Sequence, residues 1–251
     1  MRPFRPLLAA AALALALPAA ALDLGSMTAE ERAAFRAEVR AYLLDNPEVL
    51  LEAIGVIEQR EARAQADADI AALRDNRAAL EENPASWAGG NLAGDITVVE
   101  FVDYRCGYCR RAHEDVQALV ESDGNIRIVV KEFPILGPDS VTSSRFAIAV
   151  LQIAGPDAYK VAHDALIALA GPPTPAALRR IAADAGVDGD AVLARMDAPE
   201  VTAVIAANRA LGERLQINGT PSFVIHETMV RGFVPLEGMR AIVAGQRAKK
   251  G

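Results

Sequence analysis

The chain of 251 residues holds two cysteines, and they stand three positions apart as Cys106-Gly107-Tyr108-Cys109. Thr97 to Val102, just upstream, is a β-branched and aromatic run that predicts a buried strand, so the pair falls where a helix should begin. At a helix N-terminus the unpaired backbone N–H groups and the positive end of the macrodipole favour an anion, which favours the Cys106 thiolate over the thiol. A cysteine in such a place has its pKa lowered from about 8.5 to somewhere in the range of roughly 3.5–7.5. Cys109, one turn further in, is expected to be shielded and placed to attack a mixed disulfide at Cys106. The spacing therefore predicts a reversible two-electron switch.

Other uses of the pair fit less well. Tetrahedral zinc needs four ligands, and beyond the cysteines only His113, His163 and His226 remain as histidines. Haem attachment requires a histidine after the second cysteine, where Arg110 stands. A structural disulfide closing so short a loop would constrain the unfolded chain little. The two thiolates would suit Cu(I), a soft ion that tolerates two sulfur ligands, provided the pair stays reduced. His113 lies two turns after Cys106, roughly 10 Å along a helix axis, and reads as a surface histidine, as do His163 and His226.

The elements that must position this dithiol follow from pattern. Residues 1–21 read as a secretory leader: Arg2 and Arg5 form a positive start, Leu7 to Leu17 an apolar stretch, and Ala19-Ala20-Ala21 a small-residue cleavage site. Export predicts an oxidising compartment such as a bacterial periplasm. The apolar stretch is too short to span a membrane, and no later run approaches the ~20 residues a spanning helix needs. A formal net charge of −7 argues against nucleic acid or an anionic lipid surface as partner. Hydrophobic content of 52% allows a full core.

Residues 22–85 read as a helical arm. Thr28 and Glu31 form a capping box that starts a first helix, with Phe35, Val39, Tyr42 and Leu43 on one face. Pro47 restarts a second helix that is expected to run to about Glu82, with Leu50, Ile54 and Ile57 clustered early. A long arm with one short apolar stripe buries it against its own domain or a second copy, and residues 28–82 are the candidate self-association segment. Residues 83–91, rich in Pro, Ser and Gly, read as a turn-rich boundary, and residues 86–251 as a second domain. There, a strand from Asp95 to Val102, a helix from Cys106 to about Ser122 and a strand from Ile126 to Phe133 form a βαβ unit with parallel strands. Residues 139–215 read as entirely helical, broken at Gly155-Pro156, Gly171-Pro172-Pro173, Gly186 to Gly189 and Pro199. Strands at Ser222 to His226 and Met229 to Gly232 and a helix from Pro235 to about Ala248 close the chain. The fold class is α/β, with a helical block inserted into it.

A strand ending in Glu100-Phe101, the Cys106 to Cys109 motif, a following strand with Lys131, an inserted helical block and Gly219-Thr220-Pro221 before another strand together resemble the DsbA-like branch of the thioredoxin superfamily. The helical extension ahead of that domain is similar to ScsC-like members, which that family associates with periplasmic disulfide shuffling and copper tolerance. The resemblance implies a thioredoxin-like fold, a redox-active disulfide in place of a bound cofactor, and a cis Pro221 beside the cysteines. It implies that Thr220 offers its backbone to a substrate chain, with Gly107 and Tyr108 as neighbours. Threonine before that proline, and Gly-Tyr between the cysteines, resemble isomerases more than the dedicated oxidase. It also implies misoxidised or unfolded secreted proteins as substrates and a membrane thiol-disulfide reductase as redox partner. Glu100 and Lys131 match the acid and lysine beneath the cysteine pair, where a carboxylate accepts the Cys109 proton. Burying either charge alone is costly, so the two are expected to pair or share water, with Arg105 as a further support for the Cys106 thiolate.

Overall fold

The structure is a computed structural model, and it describes residues 25–250. The expected leader at residues 1–21 lies outside the described residues. The chain divides between Arg60 and Glu61 into two compact units.

In the first unit, helix α1 (Ala29–Asp45) starts at the expected capping box: the Glu31 N–H donates to Thr28 Oγ1 at 3.2 Å, and the Thr28 N–H to Glu31 Oε2 at 2.8 Å. It ends at Asn46, whose backbone and side-chain N–H groups both donate to the Tyr42 carbonyl. Helix α2 (Glu48–Asp75) follows Pro47. No residue of α1 is buried, and Phe35, Val39, Tyr42, Leu50, Ile54 and Ile57 are exposed.

Helix α2 does not run to Glu82. It breaks at Asn76, whose Nδ2 donates to the Ala72 carbonyl and whose Oδ1 accepts from Arg214, so side-chain bonds compete with the helical ladder. A one-turn helix α3 (Arg77–Glu81) follows. Leu73 at the end of α2 and Leu80 in α3 are buried, which places the chain from Glu61 onward in the second unit.

That unit continues through β1 (Trp87–Gly90), β2 (Ile96–Val102), α4 (Gly107–Asp123), β3 (Ile126–Glu132), α5 (Pro138–Ala168), α6 (Pro175–Asp184), α7 (Gly189–Arg195), α8 (Pro199–Arg214), β4 (Ser222–Ile225), β5 (Thr228–Arg231) and α9 (Leu236–Lys250). The sheet order is β1-β3-β2-β4-β5, with β2 and β3 parallel and the other pairs antiparallel. Strand β1 occupies part of the expected boundary. The reason is tertiary: Trp87 stacks on Tyr159 at 5.5 Å, donates its indole N–H to the Pro156 carbonyl, and brings a Gly-rich segment alongside β3.

Between β2 and β3 the right turn chemistry is present, since α4 ends on Gly124 at φ 70°, a left-handed conformation that glycine adopts without strain. Four helices, α5 to α8, fill the chain between β3 and β4. Gly155, at φ 81°, kinks α5 just before Pro156. Thr174 and Asp188 cap α6 and α7 through their side-chain oxygens.

Register decides what each side of the sheet carries. Glu100 pairs with Val130 and Phe101 with Lys131. Side chains alternate along a strand, so Glu100 and Lys131 point to opposite faces. On one face Val98, Val102 and Val130 pack with Cys109, Ala112, Val116 and Leu119 of α4 and Met239 and Val243 of α9. On the other, Val99, Phe101, Val129 and Phe133 pack with Leu73, Leu80, Leu211 and Leu215. A Cβ at Gly212 would sit 2.5 Å from the Phe133 ring, so α8 approaches this face as closely as it does only with glycine there.

Candidate active site around Cys106 and Cys109

Strand β2 ends at Val102, and Asp103, Tyr104 and Arg105 carry the chain into α4. Cys106 is the N-cap of that helix, with its N–H donating to the Asp103 carbonyl at 3.0 Å. The buried Asp103 carboxylate accepts from the Arg105 N–H at 2.8 Å and from the Ile135 and Leu136 N–H groups at 2.8 and 3.0 Å. One side chain, which the sequence reading passed over, thus ties the loop after β2 to the loop after β3. An aspartate directly after an apolar strand was the available signal.

Cys106 Sγ lies 3.2 Å from the Thr220 carbonyl oxygen, to which the thiol donates, and the Thr220–Pro221 peptide is cis. The two cysteines are free thiols, with Cys109 fully enclosed. A hydrogen bond from the Cys109 thiol, helped by the backbone N–H groups of Cys109 and Tyr108, pulls the Cys106 thiol down to about 5 against its burial. The same hydrogen bond, with burial and the nearby Glu100 carboxylate, pushes Cys109 far above the usual thiol range. The pair is therefore polarised, one sulfur ready to ionise and the other holding its proton. Gly107 is open to solvent, and Tyr108 is 63% exposed.

Glu100 sits on the α4 face, buried and with no side-chain hydrogen bond to the protein. Burial pushes its carboxyl up to about 7, an effect that the His113 charge partly offsets. It lines a cavity of ≈ 200 Å³ together with Trp87, His113, Gln117, Lys160 and His163.

Lys131 does not join it. The expected Glu100–Lys131 pair is absent because the register sets them on opposite faces. Lys131 Nζ instead donates to the Ala79 carbonyl at 2.7 Å and to Ser86 Oγ at 2.9 Å, and burial pulls it down to about 8. Arg105 is also elsewhere: its guanidinium donates to the Leu169 and Gly171 carbonyls, and Arg110 to those of Ile167 and Leu169. The two arginines satisfy carbonyls at the end of α5 and make no hydrogen bond to Cys106 Sγ.

His113 and His163 are not surface histidines. His163 is buried, with Nδ1 3.0 Å from the Tyr104 hydroxyl, and burial, helped by the His113 charge, pulls it down to about 3. Tyr159 donates to Glu132 Oε1 at 2.5 Å and lies 3.4 Å from Tyr104 OH. His113 Nε2 lies 3.2 Å from Asp164 Oδ1 and 3.0 Å from Gln117 Nε2. Sequence spacing placed His113 too far from the cysteines along its own helix and missed that α5 crosses beside it. His113, His163 and Asp164 offer ligand atoms within 4.8 Å of one another. Lys160 Nζ, 2.5 Å from Asp164, already supplies a cation there; His113, Gln117, Asp164 and Lys160 form one hydrogen-bonded network, and His163 bonds Tyr104 instead.

Comparison with known proteins agrees with this geometry. Residues 97–244 match the DSBA-like thioredoxin domain, and residues 31–64 match the copper resistance protein ScsC N-terminal domain. A solved thioredoxin-like oxidoreductase from Silicibacter pomeroyi is 43% identical with a TM-score of 0.64, over 70% of this chain and 99% of that one. Proteus mirabilis ScsC in a transitional conformation is 26% identical with a TM-score of 0.65, over 89% of this chain and 98% of that one. Among curated proteins, a Na(+)/H(+) antiporter NhaA 1 of Salinispora arenicola is 28% identical over 155 residues, or 61% of this chain. The chain spans 24% of that relative's length. Among the described residues, no helix is long and apolar enough to cross a membrane.

Proposed function

The chain belongs to the DSBA-like thioredoxin family of thiol-disulfide oxidoreductases, and from that membership we propose that it is an exported, periplasmic protein-disulfide isomerase and reductase. The observation that carries the reading is the polarised cysteine pair, with Cys106 at the helix N-terminus pulled down to about 5 and Cys109 sealed beneath it. A thiol pulled down to about 5 favours the thiolate at neutral pH, the form that attacks disulfides, and ionising gives up its hydrogen bond to the Thr220 carbonyl.

The Cys106 thiolate attacks one sulfur of a misformed disulfide in a secreted protein. The substrate S–S bond breaks, a Cys106–substrate disulfide forms, and the other substrate sulfur leaves as a thiolate. A second substrate thiolate then displaces Cys106, which reshuffles the disulfide with no net redox change. Alternatively Cys109 passes its proton to Glu100 and attacks Cys106 Sγ. That closes the Cys106–Cys109 disulfide and releases substrate reduced by two electrons. A membrane thiol-disulfide reductase returns the pair to the dithiol.

Thr220, through its backbone, and Pro221, Gly107 and Tyr108 form the surface that meets the substrate chain. Lys131 has no part in this scheme. The exposed apolar residues of the arm support self-association, which would place several dithiols on one misfolded substrate.

The test is reactivation of a scrambled-disulfide protein in redox buffer, with the intact chain lacking residues 1–21 compared with a fragment starting at Glu61. A fragment starting at Ser86 would strip the buried Leu73 and Leu80 from the second unit. Reactivation by the intact chain and not by the fragment supports the isomerase with a functional arm. Oxidation of reduced peptide by both, without reactivation, supports a monomeric oxidase. The match of residues 31–64 to a copper resistance domain favours a second reading, in which the reduced pair holds Cu(I). Cu(I) binding that survives Cys106→Ser would count against it.

A further inference from the structure

Glu100 is the proposed acceptor of the Cys109 proton, and that proton must leave Glu100 before the next turnover. Glu100 is 3% exposed and has no protein hydrogen bond through which to hand it on. Its outlet is the cavity, and the groups that face it there differ sharply in what they can do. From β3 come Ile128 and Val130, which carry no proton. From β1 comes Trp87, whose indole N–H is committed to the Pro156 carbonyl. From α5, His163 is committed to Tyr104 and stacked on Tyr159, and Lys160 is paired with Asp164. From α4, Gln117 cannot exchange a proton at working pH, and Glu121 sits exposed at the rim.

His113 of α4 differs from all of these. Its side chain is 15% exposed, so the imidazole reaches from the cavity to bulk water. At Nε2 it has a partner for each protonation state: the Asp164 carboxylate at 3.2 Å accepts from the imidazolium, and the Gln117 amide at 3.0 Å donates to the neutral ring. Each protonation state thus has one partner at Nε2, which suits a group that gains and loses a proton in a half-buried site. A cavity of ≈ 200 Å³ has room for water between it and Glu100.

We infer that His113, positioned by Asp164 and Gln117, carries the proton between Glu100 and solvent in each redox cycle. This rests on the role proposed above for Glu100. In the oxidising half-cycle the Cys109 proton goes to the Glu100 carboxylate as Cys109 Sγ bonds to Cys106 Sγ, and the electron pair of the broken disulfide leaves on the substrate sulfur. Glu100 then gives the proton through water to His113, which releases it to bulk. Re-reduction runs the same route inward. His113 touches neither sulfur and acts as a positioning and exchange group.

The experiment mixes the reduced chain, without residues 1–21, rapidly with an aromatic disulfide whose released thiolate is coloured. Repeated turnover, with a dithiol re-reducing the pair and the uncatalysed rate subtracted, is followed from pH 5 to 9. In the unaltered chain the rate should rise through a midpoint near that of Glu100. His113→Gln should lower the plateau about tenfold, within the range of a lost acid–base group. It should also move the midpoint to higher pH, because a positive charge near Glu100 is lost. Asp164→Asn, at a more exposed position, should shift the profile in the same sense by less. His113→Ala should regain rate as imidazole is added to the buffer.

An unchanged profile in His113→Gln, or a slower rate with neither a midpoint shift nor imidazole rescue in His113→Ala, overturns the inference. If Glu100→Gln flattens the profile while His113→Gln does not, only the role of His113 falls. If Glu100→Gln itself leaves the profile unchanged, the role of Glu100 falls first.

Discussion

Glu100 and Lys131 stand on neighbouring parallel strands, one register position apart, and the sheet sends them to opposite sides with opposite fates. Glu100 is enclosed beside the dithiol without a hydrogen bond, next to a cavity. Lys131 is enclosed on the far face with two good acceptors, the Ala79 carbonyl and Ser86 Oγ, and holds α3 against the sheet. A buried charge left unsatisfied is poised to react, whereas one whose hydrogen bonds are filled acts as a fastener. Burial alone does not distinguish chemistry from architecture; the partners do.

The sharpest way to break this contrast is at Glu100. Glu100→Gln should slow resolution of the mixed disulfide by about 10²-fold or more, the span expected for a lost acid–base group. Lys131→Met should stay within about twofold in the same assay, since it lies across the sheet from the sulfurs. Equal losses in both variants would erase the distinction between the faces.

Next in size, Leu80→Ala on the Lys131 face should cost about 2–5 kcal/mol by urea unfolding, as for other buried leucines. The rate per folded molecule should hold.

Glu100 and Lys131 should also carry opposite pH signatures. Burial raises Glu100 from 4.5 to about 7. Between those values the native chain keeps a proton that the unfolded chain has released, so stability falls as pH rises through that window. Lys131 is lowered from 10.5 to about 8. Between about 8 and 10.5 the unfolded chain holds the extra proton, so stability rises with pH there. Each change totals about 3–4 kcal/mol at most across its window, at roughly 1.4 kcal/mol per pKa unit. Unfolding curves from pH 4.5 to 10.5 should lose the alkaline rise in Lys131→Met. Compared with the unaltered chain, Glu100→Gln should lose one falling contribution between about 4.5 and 7; Glu132, which burial also raises to about 7, adds to that fall, whereas His163, pulled down to about 3, and Cys106, pulled down to about 5, oppose it.

The smallest effect belongs to Ser86→Ala, which removes one of the two Lys131 bonds. It should cost about 0.5–1.5 kcal/mol without touching the rate. A larger loss would mean that Ala79 alone cannot satisfy the ammonium.

What the sequence made legible was local. The strand ahead of Cys106, the helix that begins there, the capping box at Thr28 and the Gly-Pro break in the helical block all follow from patterns a few residues long. The parallel β2 and β3 followed from the helix between them. What escaped depended on contacts between distant segments. Trp87-Ala88-Gly89-Gly90 has no strand-forming run and becomes β1 only because Tyr159 and Pro156 receive Trp87. The faces of Glu100 and Lys131 turn on a single step of register, which neither strand encodes by itself. His113 acquires its partners only when α5 lies beside α4. Cys106, Cys109, Glu100 and Lys131 were thus singled out by type and spacing, whereas Asp103 was passed over and the burial of His113 and His163 was missed, along with the connections among all of them.

Asp103 gives the site a mechanical character. Its carboxylate oxygens clasp three backbone amides, one at Arg105 and two at Ile135 and Leu136, and its own carbonyl receives the Cys106 amide. Two loops that could have swayed independently are riveted into one jaw. The exposed side chains of Ile135 and Leu136 ride on the same rivet as the attacking sulfur, so pressure on that apolar lip is felt at the first turn of α4.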